Sequence, residues 1–170
     1  MNVAMIELLI SVMIGIITVF LTKFFLVKYY LKKTNEENPY KNLSFMIFLS
    51  GTIFSVAFIV YGIMEPLSAA LKLLSTSKNT LGDLVFTFIK YLVGFLFLAY
   101  FVSSTIIYLS YQLFSKLTTN LDEYEEIKNN NVGVAILVAT LTIVAALFTK
   151  APFIIFIESL IPYPELPSII

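Results

Sequence analysis

From Val132 to Thr149 the chain reads VGVAILVATLTIVAALFT, with no ionisable side chain before Lys150. An α-helix rises about 1.5 Å per residue, so roughly 20 apolar residues cross a hydrocarbon core about 30 Å thick. The run is read as a membrane-crossing helix that continues through Lys150 and Pro152 to about Ile161. Three further stretches qualify: Met5 to Leu31, Leu43 to about Met64, and Leu84 to Leu113. Backbone polar groups find no water in hydrocarbon, which favours helices, and the runs lack the alternation that barrel strands require. The expected fold is an all-α membrane protein of four transmembrane helices, arranged as two repeated helical hairpins. One transmembrane domain over 1–170 is expected, with repeat one at about 1–75, repeat two at about 82–161 and a surface tail at 162–170.

Composition agrees. Apolar residues make up 59% of the chain and Asp, Glu, Lys and Arg only 13%, where a soluble domain carries about a quarter charged residues. That little polar surface could not cover such a core in water. There is no Cys and no His, which excludes disulfides, thiolate nucleophiles and Cys/His zinc sites. Neither a metal nor any other cofactor is expected, and a net charge of zero gives no reason to expect nucleic acid. The first basic residue, Lys23, follows the first apolar run instead of preceding it, so that run is expected to be a retained helix and not a signal peptide.

Lysines set the orientation. Lys23, Lys28, Lys32, Lys33 and Lys41 flank the first loop, and Lys116 and Lys128 flank the third. The other side has Lys72 and Lys78, with Lys90 and Lys150 near helix ends. By the positive-inside rule loops one and three face the cytoplasm and both termini lie outside it. The expected location is the bacterial cytoplasmic (inner) membrane. Pro66–Ser75 is read as a short amphipathic helix on the outer surface. Pro162, Pro164 and Pro167 predict an extended tail over Ser159–Ile170.

The two cytoplasmic loops share a pattern. Glu36-Glu37 precedes Asn42 and an apolar helix, and Glu125-Glu126 precedes Asn131 and the next helix at the same spacing. Asn is a good N-cap and acidic residues suit the positive end of a helix dipole. The pattern predicts a duplicated two-helix hairpin with Asn42 and Asn131 as the caps. Tyr91-Leu-Val-Gly94, Leu117-Thr118, Glu125-Glu126-Ile127, and Asn131-Val132 with Ala135-Ile136 together resemble the repeat of the bacterial membrane family called domain of unknown function 350. The resemblance covers about Leu84–Leu147 closely and the first half loosely, through Gly15 and Asn42. It departs where the last helix would carry a Gly and has Thr140 or Thr142 instead. It implies two such hairpins, hence four helices, and brings no established biochemical activity.

Each predicted span carries a small or polar stripe within about 100° of arc. The stripes are Glu7, Ser11, Gly15, Thr18 and Thr22; Ser44, Gly51, Ser55, Gly62 and Glu65; Thr87, Lys90, Tyr91, Gly94, Thr105 and Gln112; and Ala135, Ala139, Thr142, Ala146, Thr149 and Lys150. Close helix packing accounts for such stripes; a polar path between helices is the competing reading. Glu7, Glu65, Lys90, Lys150 and Glu158 gather toward the outer side. Such residues either snorkel or pair, and a candidate intramembrane ionic cluster pairs the two lysines with the three glutamates. Pro152 is expected to kink the last helix and free carbonyls near Phe148. The acidic run Asp122, Glu123, Glu125 and Glu126 is read as a solvated capping face.

No nucleophile, metal motif or phosphate loop is legible, so an enzyme is not expected. The expected function is a non-enzymatic subunit or scaffold of a membrane assembly, with an oligomeric channel or transporter for an ion or small solute as the alternative. Expected partners are the lipid bilayer, and itself or other membrane subunits.

Overall fold

The structure is a computed structural model and describes residues 3–75, 81–118 and 121–161. Lys78 and the surface tail 162–170, with its three prolines, lie outside the described residues. The described chain is helical: α1 (Val3–Thr34), a 3₁₀ turn (Pro39–Lys41), α2 (Leu43–Tyr61), α3 (Met64–Ser75), α4 (Leu81–Leu117), α5 (Glu123–Lys128) and α6 (Val132–Glu158). Four helical stretches, Glu7–Thr34, Leu43–Leu74, Gly82–Leu117 and Val132–Glu158, are long and apolar enough to cross a membrane.

Local chemistry explains the boundaries. The Gly62 and Ile63 N–H groups donate back three residues, to Ile59 O at 2.9 Å and Val60 O at 3.1 Å. Pro66 has no N–H for the Gly62 carbonyl, so the helix tightens there and restarts as α3. That restart at Met64 lies two residues before the expected amphipathic helix. Leu67 and Ala70 of α3 are buried and Lys72 is exposed. At the other end, Asn35 closes α1 at φ 53° and Asn130 closes α5 at φ 59°. Asn130 N–H donates to Ile127 O at 3.0 Å and Asn131 N–H to Glu126 O at 2.9 Å. That pair of bonds is a Schellman motif with Asn, which tolerates the left-handed region, in the usual glycine position.

The most extensive helix–helix contact is between α2 and α6, and small residues make it possible. A Cβ built on Gly51 would lie 2.5 Å from the Ala139 Cβ. Ser44, Ser55, Ala135, Thr142 and Ala146 are buried along the same contact. The α2 and α6 stripes thus pack helix on helix. α1 leans on α2, and α4 on α6 and α2.

The α4 stripe behaves differently. Lys90, Thr105 and Gln112 are exposed, while Phe95, Ala99, Ser103, Ile106, Ser110 and Phe114 are buried. The inward face of α4 therefore lies well round the helix from its polar stripe. Outside the core, Phe20, Phe97, Phe101 and Phe148 are each more than 60% exposed, a surface that suits lipid and not water. α6 runs through Pro152 without a break in helical structure.

Candidate functional site

The loop end of the bundle is a polar junction between the two hairpins. Asn42 caps α2, its Oδ1 accepting from Phe45 N–H at 3.1 Å, while its Nδ2 donates to Ile127 O at 2.8 Å and Lys128 O at 3.1 Å. One side chain thereby satisfies an orphan donor of α2 and the Lys128 carbonyl at the end of α5, and adds a second donor to the Ile127 carbonyl that Asn130 N–H already uses. Asn130 Oδ1 accepts from Ser44 N–H at 3.1 Å and Ser44 Oγ at 3.2 Å. Asn131 caps α6 through Val134 N–H at 3.3 Å and donates to Glu126 Oε2 at 2.7 Å. Both expected caps are in place, and Asn42 also joins the hairpins.

Beneath these bonds lies an aromatic cluster. Tyr30 packs on Phe45 at 4.4 Å between ring centroids, and Tyr124 meets Tyr111 edge-on at 5.3 Å. Tyr30 Oη donates to Glu36 Oε2 at 2.8 Å. Lys33 Nζ sits 4.0 Å above the Tyr124 ring and 3.3 Å from Asp122 Oδ1. Burial holds the Tyr124 phenol well above its ordinary range.

Asp122 and Glu123 diverge although adjacent. Burial pushes the Asp122 carboxyl up, but hydrogen bonds from Tyr124 N–H and Lys33 outweigh it and leave the group below its ordinary range. Glu123 is 7% exposed, and desolvation holds it above the carboxylate range. Among the described residues it has no ion-pair partner. The acidic run is thus not a uniformly solvated face: Asp122 caps α5 through Tyr124 and Glu125 N–H, Glu123 is buried, and Glu125 is exposed.

Between α1, α2 and α4 runs a groove of about 350 Å³, lined by Thr22, Phe25, Leu26, Val56, Ile107 and Tyr111 among others. Toward the loop end it meets a second space of about 330 Å³ bounded by Lys33, Gln112, Asp122 and Glu123. Tyr29, Tyr108 and Tyr111 line both. The floor is unusual: Thr22 is 6% exposed and its Oγ1 has no hydrogen-bond partner. The sequence marked Thr22 as part of a stripe but gave no sign that Glu123, Tyr108 and Tyr111 would share its groove. That follows from the phase of α4 and from α5, a six-residue helix without a periodic signature.

The five ionisable residues of the expected ionic cluster do not form ion pairs with one another. Glu7 Oε1 accepts from Ser68 Oγ at 2.6 Å. Lys90 Nζ lies 4.3 Å from the Phe86 ring centre, and Lys150 Nζ lies 4.2 Å from Phe58 and 4.5 Å from Tyr61. Glu65 is exposed and Glu158 half-buried. The two lysines rest on aromatic faces, a contact available to any cation near a ring. Among the described residues no group of three or more His, Cys, Asp and Glu could hold a metal ion.

No curated protein and no solved structure matches the chain. A family model, Domain of Unknown Function (DUF350), matches residues 1–153. With nine-tenths of its length inside that match and four membrane-length helices, the chain belongs to this family.

Proposed function

We propose that the chain is a non-enzymatic integral membrane protein acting as a subunit or scaffold of a membrane assembly. It is placed in the bacterial cytoplasmic membrane with both termini outside, the junction facing the cytoplasm and the two hairpins a duplication. The observation that carries the assembly reading is the α4 stripe. Lys90, Gly94, Thr105 and Gln112 turn away from the bundle's own buried face, and a Cβ on Gly94 would meet nothing within 4 Å. A small and polar face within the membrane serves close approach by another helix, and among the described residues no helix of the chain packs on it at Gly94. The lack of Cys and His supports a role without chemistry.

Because the chain has no Cys, Gly94→Cys offers a clean test. Oxidative cross-linking in native membranes, followed by native mass measurement in mild detergent, is expected to give a discrete adduct with a second copy or another subunit. A protein that stays monomeric, uncross-linked and free of copurifying subunits would sink this reading. The transport alternative draws on one face of α1, where Glu7, Ser11, Thr18, Thr22 and Lys33 each line a cavity. Ion flux in proteoliposomes that falls in Thr22→Val would favour it.

A further inference from the structure

We propose that the groove between α1 and α4 is a binding site for a phospholipid whose headgroup carries an ammonium group. This inference concerns a ligand of the single chain and does not depend on the assembly reading. Three independent features converge on it. The first is Glu123, a buried residue whose carboxylate forms no ion pair among the described residues and which borders the 330 Å³ space at the loop end. An ionised carboxylate taken out of water needs a compensating cation. The nearest protein cation, Lys33, is already engaged with Asp122 at 3.3 Å and the Tyr124 ring.

The second feature is aromatic. Tyr29, Tyr108 and Tyr111 line the same space, and rings around a carboxylate form the environment in which organic ammonium groups bind. The three charged side chains that line the space, Lys33, Asp122 and Glu123, sum to one negative charge, to which a zwitterionic headgroup adds none. An anionic headgroup would deepen the imbalance, whereas a zwitterionic one can set its ammonium at Glu123 and its phosphate near Lys33.

The third feature is the apolar continuation. From Lys33 to Thr22 is about 16 Å along α1 at 1.5 Å per residue. The groove over that distance is walled by Phe25, Leu26, Val56 and Ile107. That is room for the upper part of a fatty-acyl chain, entered from the bilayer between α1 and α4. The partnerless Thr22 Oγ1 at the floor is a donor that this chain leaves unused. A free soluble amine would fill only the polar end.

The test uses the full-length protein purified in dodecyl maltoside and titrated separately with phosphatidylethanolamine and phosphatidylglycerol, with bound lipid read by native mass spectrometry. Expected is at least tenfold preference for phosphatidylethanolamine, lost in Glu123→Gln. Ile107→Trp, which fills the groove without touching a charge, is expected to reduce binding by a similar factor. Because Glu123→Gln could act by altering the fold, both variants are also followed by thermal unfolding. Equal retention of the two lipids overturns the proposal, as does full binding in a folded Ile107→Trp variant. Free ethanolamine that displaces the lipid at equal concentration also overturns it, because the site would then read a soluble amine and not an amphiphile.

Discussion

Two pairs of helices in this bundle carry stripes of small and polar residues, and only one pair packs its two stripes against each other. Between α2 and α6 the space is closed: Gly51 faces Ala139 so closely that no Cβ fits between them. Between α1 and α4 the space is open, with a groove where a contact would be, and neither Gly15 nor Gly94 has an atom within reach of an added Cβ. The difference is one of phase. A glycine matters to packing only when its face is turned toward a neighbour, and sequence spacing fixes the face but not the neighbour. The closed pair holds the bundle together, while the open pair is where a ligand or another subunit has room.

Substitution at the glycines should break the comparison most sharply. Gly51→Leu forces four extra carbons into the Ala139 backbone and is expected to abolish the folded bundle. Gly51→Ala should cost about 1–3 kcal/mol, the range for overpacking a filled site. Ala139→Gly added to Gly51→Ala should recover part of that loss, since it removes the clashing methyl. Gly94→Ala should be neutral or stabilise by up to about 1 kcal/mol through helix propensity. Thermal unfolding of all four in one detergent checks this, and equal losses at positions 51 and 94 would contradict the packing described.

The two cap asparagines test the same contrast at the junction. Asn42→Ala loses a cap, worth about 1 kcal/mol, and also both cross-links to α5, leaving the Lys128 carbonyl without its donor while Ile127 O keeps Asn130 N–H, a loss of roughly 1–3 kcal/mol more. Asn131→Ala loses an exposed cap and an exposed donation to Glu126 and should cost about 1 kcal/mol. Asn42→Asp keeps the acceptor for Phe45 N–H but sets a buried carboxylate oxygen against the Ile127 and Lys128 carbonyls, so it should cost at least as much as Asn42→Ala. Chemical or thermal unfolding that ranks Asn131→Ala below Asn42→Ala would remove the claim that Asn42 joins the hairpins.

Lys150 offers a smaller effect. Its ammonium rests on Phe58 and Tyr61, so Lys150→Leu should cost about 0.5–2 kcal/mol. Glu158→Gln should change nothing, because no ion pair joins it to Lys150. If the charge-neutral Glu158 variant lost as much stability in detergent as Lys150→Leu, the pairing reading would replace the aromatic one.

The four spans and both caps were legible because their signals are local. Each span is a continuous apolar run, and Asn42 and Asn131 stand immediately before one. The orientation of the α4 stripe was not legible, since Lys90, Gly94, Thr105 and Gln112 form as regular a stripe as the buried Ala99, Ser103 and Ser110. Two plausible faces on one helix can be told apart only by what the neighbouring helices present. The groove was illegible for a related reason: Glu123 joins Tyr111 only because a six-residue helix turns one acidic residue of four inward. The lysine–aromatic contacts were hidden because Phe58 and Tyr61 lie on α2, about ninety positions from Lys150.

Asp122 and Glu123 supply the smallest effects and the most specific signs. Glu123 sits above its unfolded value, so its burial costs nothing while protonated in both states. The cost appears as pH rises through the unfolded carboxylate range toward its higher folded value. Asp122 sits below its unfolded value, so its contribution is present above the unfolded range and is lost as pH falls toward the lower folded value. Its ion pair with Lys33 is substantially exposed, at 36% and 49%, so it is worth at most about 1 kcal/mol and less at high salt. Glu123→Gln should therefore match wild type in stability at acid pH and exceed it at neutral pH in lipid-free detergent. Asp122→Asn, which keeps a capping side chain, should match wild type at acid pH and fall slightly below it at neutral pH. Melting curves from pH 2 to 8 for the two variants should thus separate from wild type in opposite directions as pH rises. A shift of the same sign in both would mean that the two neighbouring carboxyls share one environment and that Glu123 is not the uncompensated charge at the mouth of the groove.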